Sequence, residues 1–326
     1  TEGSGVSLSL DEAEALFGRI LDGEVADQVI AATLVDLAER GETAAEVAGA
    51  VRAMRARMKP VAAPVGAIDV CGTGGDGQHS LNVSTAVALV VAACDVPVAK
   101  HGNRAASSLA GGADTLEALG LNLSRASDMA EQTLADLGIA FLFAQAHHPA
   151  LGRVAPIRKA LGRRTIFNLL GPLANPAGVR RQLVGVANPA LIALYRDAMQ
   201  LLDTEAAMIV SGAEGLDELS IAGPSYLATI GLPPLPAEVS PDDAGLFPHP
   251  LDELRGGDAA FNAAALRRLL QGEAGAYRDA VLLNSAAALL VAGQVEDWLE
   301  GVEEAAEALD KGLAKALLDC WIETVR

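Results

Sequence analysis

Ala67-Ile-Asp-Val-Cys71 runs directly into Gly72-Thr-Gly-Gly-Asp-Gly77, and this junction constrains the fold of the 326-residue chain more than any other feature. A short apolar run closed by clustered glycines reads as a buried strand ending in a tight loop. Val83 to Cys94 is long enough to be the helix that follows. Backbone N–H groups in such a loop can point inward together, and the helix behind adds its positive end, so the loop suits phosphate. The spacing is neither GxxxxGK[ST] nor GxGxxG with an acidic residue about 20 positions later, so it matches neither the P-loop nor the dinucleotide fingerprint. Glycine-rich strand–helix turns are also common architecture, and the loop alone leaves both readings open.

The same alternation continues. Val96-Pro-Val-Ala99, Gly138 to Phe143, Gln182 to Val186 and Ala206 to Val210 read as strands, with helical stretches such as Pro189 to Leu202 between them. This predicts an α/β fold: a mostly parallel central sheet flanked by helices. Asn262 to Leu270, Asp279 to Ala292 and Val302 to Leu318 carry helical periodicity. Leu232 to Pro250 holds six of the 15 prolines and is predicted to be a poorly structured surface excursion.

The N-terminal part is helical instead. Ser9-Leu-Asp-Glu12 and Thr43-Ala-Ala-Glu46 are capping-box patterns, and Gly41 is placed to end the helix between them. Val47, Val51, Met54 and Met58 recur at helical spacing, an apolar stripe to be buried on the rest of the chain, at a subunit interface, or both. Lys59-Pro-Val-Ala-Ala-Pro64 is a connector, which divides the chain into a small helical domain at 1–64 and a large α/β domain at 65–326. The small polar start Thr1–Gly5 is read as a processed or added end and set aside.

Composition narrows the function. With Lys+Arg 24 against Asp+Glu 42 the net charge is −18, and no basic face is available for nucleic acid or anionic lipid. An anionic ligand therefore needs a locally positive pocket. The three cysteines, Cys71, Cys94 and Cys320, have no ligand or disulfide spacing and fit a reducing cytoplasm. The longest apolar run, Ala86 to Cys94, is far short of the roughly 20 residues of a membrane span, and no signal-peptide pattern is present.

Further polar clusters follow the glycine loop. Asn82-Val-Ser-Thr85 puts three hydrogen-bonding side chains at a helix start, as caps or facing a phosphate or a metal-bound oxygen. Lys100-His-Gly-Asn-Arg104 follows the second strand, with two cations at the carboxyl end of the sheet, where open α/β folds bind ligands. A solvated basic turn is the alternative. His147 and His148 are adjacent, a weak pattern for zinc.

The runs DVCGTGGDG (69–77), NVST (82–85), KHGNRAASS (100–108) and ADTLEALG (113–120) resemble the anthranilate phosphoribosyltransferases. So do FAQAHHPALGRVAPIRKALGRRTIFNLLGPLANP (143–176), GLDELS (215–220) and RDAVLLN (278–284). The similarity covers almost the whole chain, and several motifs in one order are far more specific than any one of them. The resemblance implies helices around 150–175 joining the small domain and a homodimer formed through it. It also implies a reaction between 5-phosphoribosyl 1-pyrophosphate (PRPP) and anthranilate, releasing pyrophosphate, with association with anthranilate synthase components a further expectation.

It also implies roles. Gly72, Gly74, Gly75, Asp76, Asn82, Ser84, Thr85, Lys100 and Gly112 correspond to PRPP-contacting positions, and Gly72, His101, Asn103, His148, Arg158 and Pro172 to the anthranilate site. Ser84, Asp217 and Glu218 correspond to the magnesium site; adjacent carboxylates beside a substrate phosphate suit a hard cation that keeps part of its water shell. Arg158 offers a planar fork for a carboxylate, and Asn103 an acceptor for the amine. Lys100, Asn103 and Arg158 are the expected catalytic set. The mechanism implied is mainly electrostatic, since the arylamine is already neutral at pH 7 and needs no strong base.

The chain departs from the family pattern SSKSGSAD in reading Ser107-Ser-Leu-Ala-Gly-Gly-Ala-Asp114, so Leu109, Ala110 and Gly112 remove one cation and two hydroxyls. Cys71 is read as a small buried apolar residue. Two other readings compete: a pyrimidine nucleoside phosphorylase-like enzyme, which would need a base pocket in place of Asn103, Arg158 and the acidic pair, and a ligand-binding homologue without activity.

Overall fold

The computed structural model describes residues 7–105 and 109–326; Thr1–Gly5 and the Ser107-Ser108 part of the KHGNRAASS run lie outside the described residues. Among the described residues, strands β1 (Ile68–Gly72), β2 (Val98–Gly102), β3 (Ile139–Phe143), β4 (Arg181–Gly185), β5 (Ala206–Gly212), β6 (Ser225–Ile230) and β7 (Glu238–Val239) form one sheet. Their order is β3-β2-β1-β4-β5-β6-β7. The pairs from β3 to β5 are parallel, and β6 and β7 are antiparallel additions at one edge. From β1 the chain crosses to β2 and β3 on one side, then returns to β4 on the other. The carboxyl ends of β1 and β4 therefore flank a topological switch point, the place where open α/β sheets form a ligand crevice.

Alternation along the strands sorts side chains onto two faces. Ile68, Val70, Leu183, Met208 and Val210 join one core with the apolar helix Val83–Ala93 and the helices Ala276–Ala292, Trp298–Asp310 and Leu313–Thr324. Cys71, Val184, Ala207 and Ile209 point the other way, into a core shared with the N-terminal helices and with Val154, Ile157, Phe167 and Leu170. Under β2 and β3 on that second face, Ala99, Ala140 and Leu142 pack with Val61, Leu134 and Val179.

Of the N-terminal helices Leu10–Asp22, Asp27–Arg40 and Ala44–Arg55, the first and third start and the second stops where the sequence predicts, and the third ends before Met58. Ser9 with Glu12 and Thr43 with Glu46 form reciprocal capping boxes, and Gly41 ends the middle helix at φ 84°. Their apolar stripes are buried within the chain: Phe17, Ile20, Ile30, Leu34, Leu37, Val47 and Val51 are each 0–1% exposed. Glu46, itself fully buried, gathers the Leu8 N–H and the Arg40 guanidinium and so closes the helices on one another.

Three expectations need correction. The proline-rich stretch is not a bare surface excursion: it contains β7 and the 3-10 turn Pro241–Ala244, and Val239 and Ala244 are buried. Pro241 can start that turn because its missing N–H lies where a helix start has no partner. Val302 to Leu318 is not continuous, because Gly312 in the left-handed region (φ 69°) divides it into Trp298–Asp310 and Leu313–Thr324. Lys100 and His101 do not follow β2 but belong to it, and both are buried.

Candidate active site

The glycine loop leaves β1 at the switch point. Gly74, Gly75 and Gly77 all have positive φ (65°, 76° and 72°), the conformation that turns successive N–H groups toward one concave side. Thr73 ties the loop to β4: its N–H donates to the Gly185 carbonyl at 3.0 Å, and its hydroxyl accepts from the Ala187 N–H at 3.2 Å. Asp217 closes the far side, its Oδ2 accepting from the Gly74 N–H at 2.7 Å. Gly72 is needed for this approach, since a Cβ there would stand 2.3 Å from Asp217 Oδ2.

Lys100, 5% exposed, brings the positive charge inside. Its Nζ donates to the Val70 carbonyl at 2.6 Å and to Ser84 Oγ at 3.1 Å, so the cation reaches from β2 across β1 to the start of the next helix. The Ser84 N–H donates to Glu218 Oε1 at 3.1 Å. Loop, lysine, serine and acidic pair thus converge. Arg104 does not join them, being bound to Asp114 and Glu117 at the surface. Thr85 is buried and lies against Gly112, where a Cβ would come 2.9 Å from Thr85 Oγ1.

Asn82 departs from the capping reading. Its side chain neither caps the helix nor stands free: it donates to the Ala110 carbonyl at 3.2 Å and accepts from Thr115 and Asn262.

Burial, and then the neighbouring Asp76 charge, pushes the Asp217 carboxyl well above the ordinary carboxylate range; burial and then Asp217 do the same to Glu218. One buried and one half-buried carboxylate side by side with so little compensation are suited to a divalent cation. The described residues contain no ready-made group of three or more His, Cys, Asp or Glu ligands. Two carboxylates and the Ser84 hydroxyl, all hard oxygen donors, fit magnesium, which binds few protein ligands and keeps water or substrate oxygens.

A second cluster lies on the other face. The His101 ring, packed 5.2 Å from that of His148, has Nδ1 3.0 Å from the Gly171 carbonyl. A carbonyl only accepts, so Nδ1 carries the hydrogen and Nε2 keeps its lone pair. Nε2 of both rings is buried without a partner among the described residues. Burial, more than their mutual repulsion, lowers His101 to about 3, and burial lowers His148 to about 4; both are neutral at pH 7. Pro172 follows Gly171 in a buried turn and accepts from Gln182 Nε2 at 2.8 Å. Arg158 sits over the Phe167 ring at 5.5 Å, with its pKa lowered by burial and no acidic partner among the described residues. Asn103 is exposed at the end of β2, its Oδ1 accepting from the Arg104 N–H at 2.8 Å.

Sequence reasoning missed the residues that hold this cluster. Asp69, fully buried in β1, accepts from the His101 N–H at 3.0 Å and from Asn175 Nδ2 at 2.8 Å, and Asn175 also donates to the Ala99 carbonyl at 2.7 Å. The available signals were an aspartate inside an apolar strand and an asparagine inside GPLANP.

The helical bundle domain of the glycosyl transferase family matches residues 3–58 and its a/b domain matches residues 65–315, so fold and site together define a glycosyl transferase. The anthranilate phosphoribosyltransferase of Novosphingobium aromaticivorans is 67% identical over 312 residues, 95% of this chain and 94% of that protein. That of Sphingopyxis alaskensis is 64% identical, with 97% and 95% covered. Among solved structures, the Thermus thermophilus enzyme superposes with a TM-score of 0.92 at 42% identity, covering 99% of this chain and 97% of that one. The Saccharomyces cerevisiae enzyme in complex with PRPP and Mg gives 0.88 at 28%, covering 98% and 93%. The chain belongs to the anthranilate phosphoribosyltransferase family, and the phosphorylase-like and inactive readings give way to it.

Proposed function

We propose that this chain transfers the 5-phosphoribosyl group of PRPP to the amine of anthranilate and releases pyrophosphate, the second dedicated step of tryptophan biosynthesis. The observation that carries the reading is the convergence of the positive-φ glycine loop, buried Lys100 and the Asp217–Glu218 pair at the switch point of the sheet.

In this reading the C1–O bond to pyrophosphate breaks as the amine nitrogen bonds to C1, and the amine proton leaves to water. Gly72, Gly74, Gly75, Asp76, Ser84, Thr85, Lys100 and Gly112 hold PRPP, while Asn82 shapes the helix start beside it. Loop N–H groups and Lys100 face the charge that grows on the leaving pyrophosphate, where preorganised donors contribute most. Magnesium, held by Asp217 and Glu218 with Ser84, would neutralise part of that charge. His101, Asn103, His148, Arg158 and Pro172 receive anthranilate, with Arg158 toward its carboxylate. The neutral His101, holding an unpaired lone pair, orients an amine without protonating it. Positioning the amine near C1 supplies much of the remaining rate.

The small domain comprises 1–64 with the helices around 150–175, the large domain 65–326, and a homodimer forms through the small one. The neutral-pH chemistry and three free cysteines suit the cytoplasm, and anthranilate synthase components are the natural partners to supply the aromatic acid. No helix among the described residues is long and apolar enough to cross a membrane. The test is loss of anthranilate fluorescence with PRPP, with and without MgCl₂. Magnesium-dependent loss, weakened in Arg158→Ala and Asp217→Ala, supports the reading; no turnover by folded wild-type protein overturns it.

A further inference from the structure

Asp217 and Glu218 lie in an irregular, largely buried segment between β5 and β6, so its peptide groups lack the ladder partners a strand would provide. Two neighbours fix it. On the sheet side the Asp217 carbonyl approaches Gly185 so closely that a Cβ added there would stand 1.6 Å from it. On the other side stands Asn284, 0% exposed in the middle of the helix Ala276–Ala292.

Asn284 accepts from the Leu219 N–H at 2.9 Å and donates to the Leu219 carbonyl at 3.0 Å; its second amide hydrogen goes to the Ala280 carbonyl at 2.9 Å. A carboxamide inside an apolar helix is costly unless its groups are bonded. Here it supplies both bonds that a neighbouring strand would have given the residue next to Glu218. About two turns earlier on the same helix, the Tyr277 hydroxyl donates to the Asn82 carbonyl at 3.2 Å, at the start of the helix carrying Ser84. One helix therefore holds both the residue that follows the acidic pair and the start of the helix that carries Ser84.

We infer that Asn284 is a positioning residue that sets the Asp217–Glu218 carboxylates for magnesium by bonding both peptide groups of Leu219. The inference rests on the proposed reading of that pair as the metal-holding one. Asn284→Leu and Asn284→Ser remove the paired bonds, and Asp217→Asn tests the reading itself. Three quantities are measured: the magnesium dependence of turnover, Mn²⁺ affinity by electron paramagnetic resonance with inorganic pyrophosphate, and hydrogen exchange at the Leu219 amide without metal.

The expected result is folded Asn284 variants with half-saturating magnesium raised and Mn²⁺ affinity weakened by about 10- to 100-fold, the usual cost of losing a residue that orients metal ligands. Leu219 exchanges faster, and KM for anthranilate stays unchanged. Folded Asn284 variants with wild-type metal dependence, beside an Asp217→Asn that has lost it, would overturn the inference and leave the reading intact. An Asp217→Asn with wild-type metal dependence would overturn the reading first. If neither Asn284 variant folds, the residue supports the core in general, and the positioning claim falls.

Discussion

Lys100 reaches the middle of the site because β2 buries its stem and places its ammonium on the Val70 carbonyl and Ser84 Oγ. Lys100→Met keeps the stem and removes the charge, so the fold should survive with an unchanged far-UV circular dichroism spectrum. The kcat/KM for PRPP should fall by about 10²- to 10³-fold, the range for losing one preorganised donor to developing negative charge. The two neutral histidines carry a pH signature. Unfolded, each takes a proton near pH 6.5; folded, His101 resists to about 3 and His148 to about 4. Between those values the unfolded state binds more protons, so the two histidines' contribution to stability is full above pH 6.5 and declines below it, by about 1.4 kcal/mol per pH unit for each. The raised Asp217 and Glu218 carboxyls bind more protons folded than unfolded over the same range and act in the opposite sense, so the histidine contribution is read by difference: from pH 7 to pH 5 the urea midpoint of His148→Gln should fall less, or rise more, than that of wild type. At this scale the sequence was legible in the local pattern of the glycine loop, while Asp217-Glu218 was singled out only through the family resemblance. It was silent on Asp69, Asn175 and Asn284, whose bonding partners are 32, 106 and 65 positions away.

The elements were legible where periodicity and punctuation agree. β1, β3 and the capped N-terminal helices fall within about two residues of their sequence signals, the ordinary uncertainty of an element end. β6 went unread because a strand with so few fully buried residues has a weak apolar signal, and β7 because two residues leave none. Gly312 was legible as a residue but not as a break, since a glycine inside a helical period is tolerated until packing turns the chain. The contact between β4 and the acidic segment yields a sharper prediction. Gly185→Ala puts a methyl against the Asp217 carbonyl and should lower unfolding stability by about 1–3 kcal/mol, as overpacking does, with magnesium-dependent turnover lost. Gly223→Ala, where a Cβ meets nothing within 4 Å, is the control and should melt like wild type.

The whole molecule resolves an apparent conflict between its charge and its substrate. A net charge of −18 is spread over the surface and screened beyond roughly 10 Å by salt. Lys100 and the loop N–H groups act within a few ångströms at the switch point, where local charge outweighs the total. The layered fold places Lys100 and His101 on opposite faces of β2: Lys100 turns toward Ser84, while His101 turns toward Gly171. In the proposed reading, strand alternation separates the side chains offered to the two substrates. The most direct test of this arrangement is phosphorus NMR of PRPP, anthranilate and MgCl₂ with the purified protein. One pyrophosphate should be released for each anthranilate consumed, and neither change should occur without magnesium. Pyrophosphate release without consumption of anthranilate, or equal turnover in the presence of a chelator, would contradict the proposed reading.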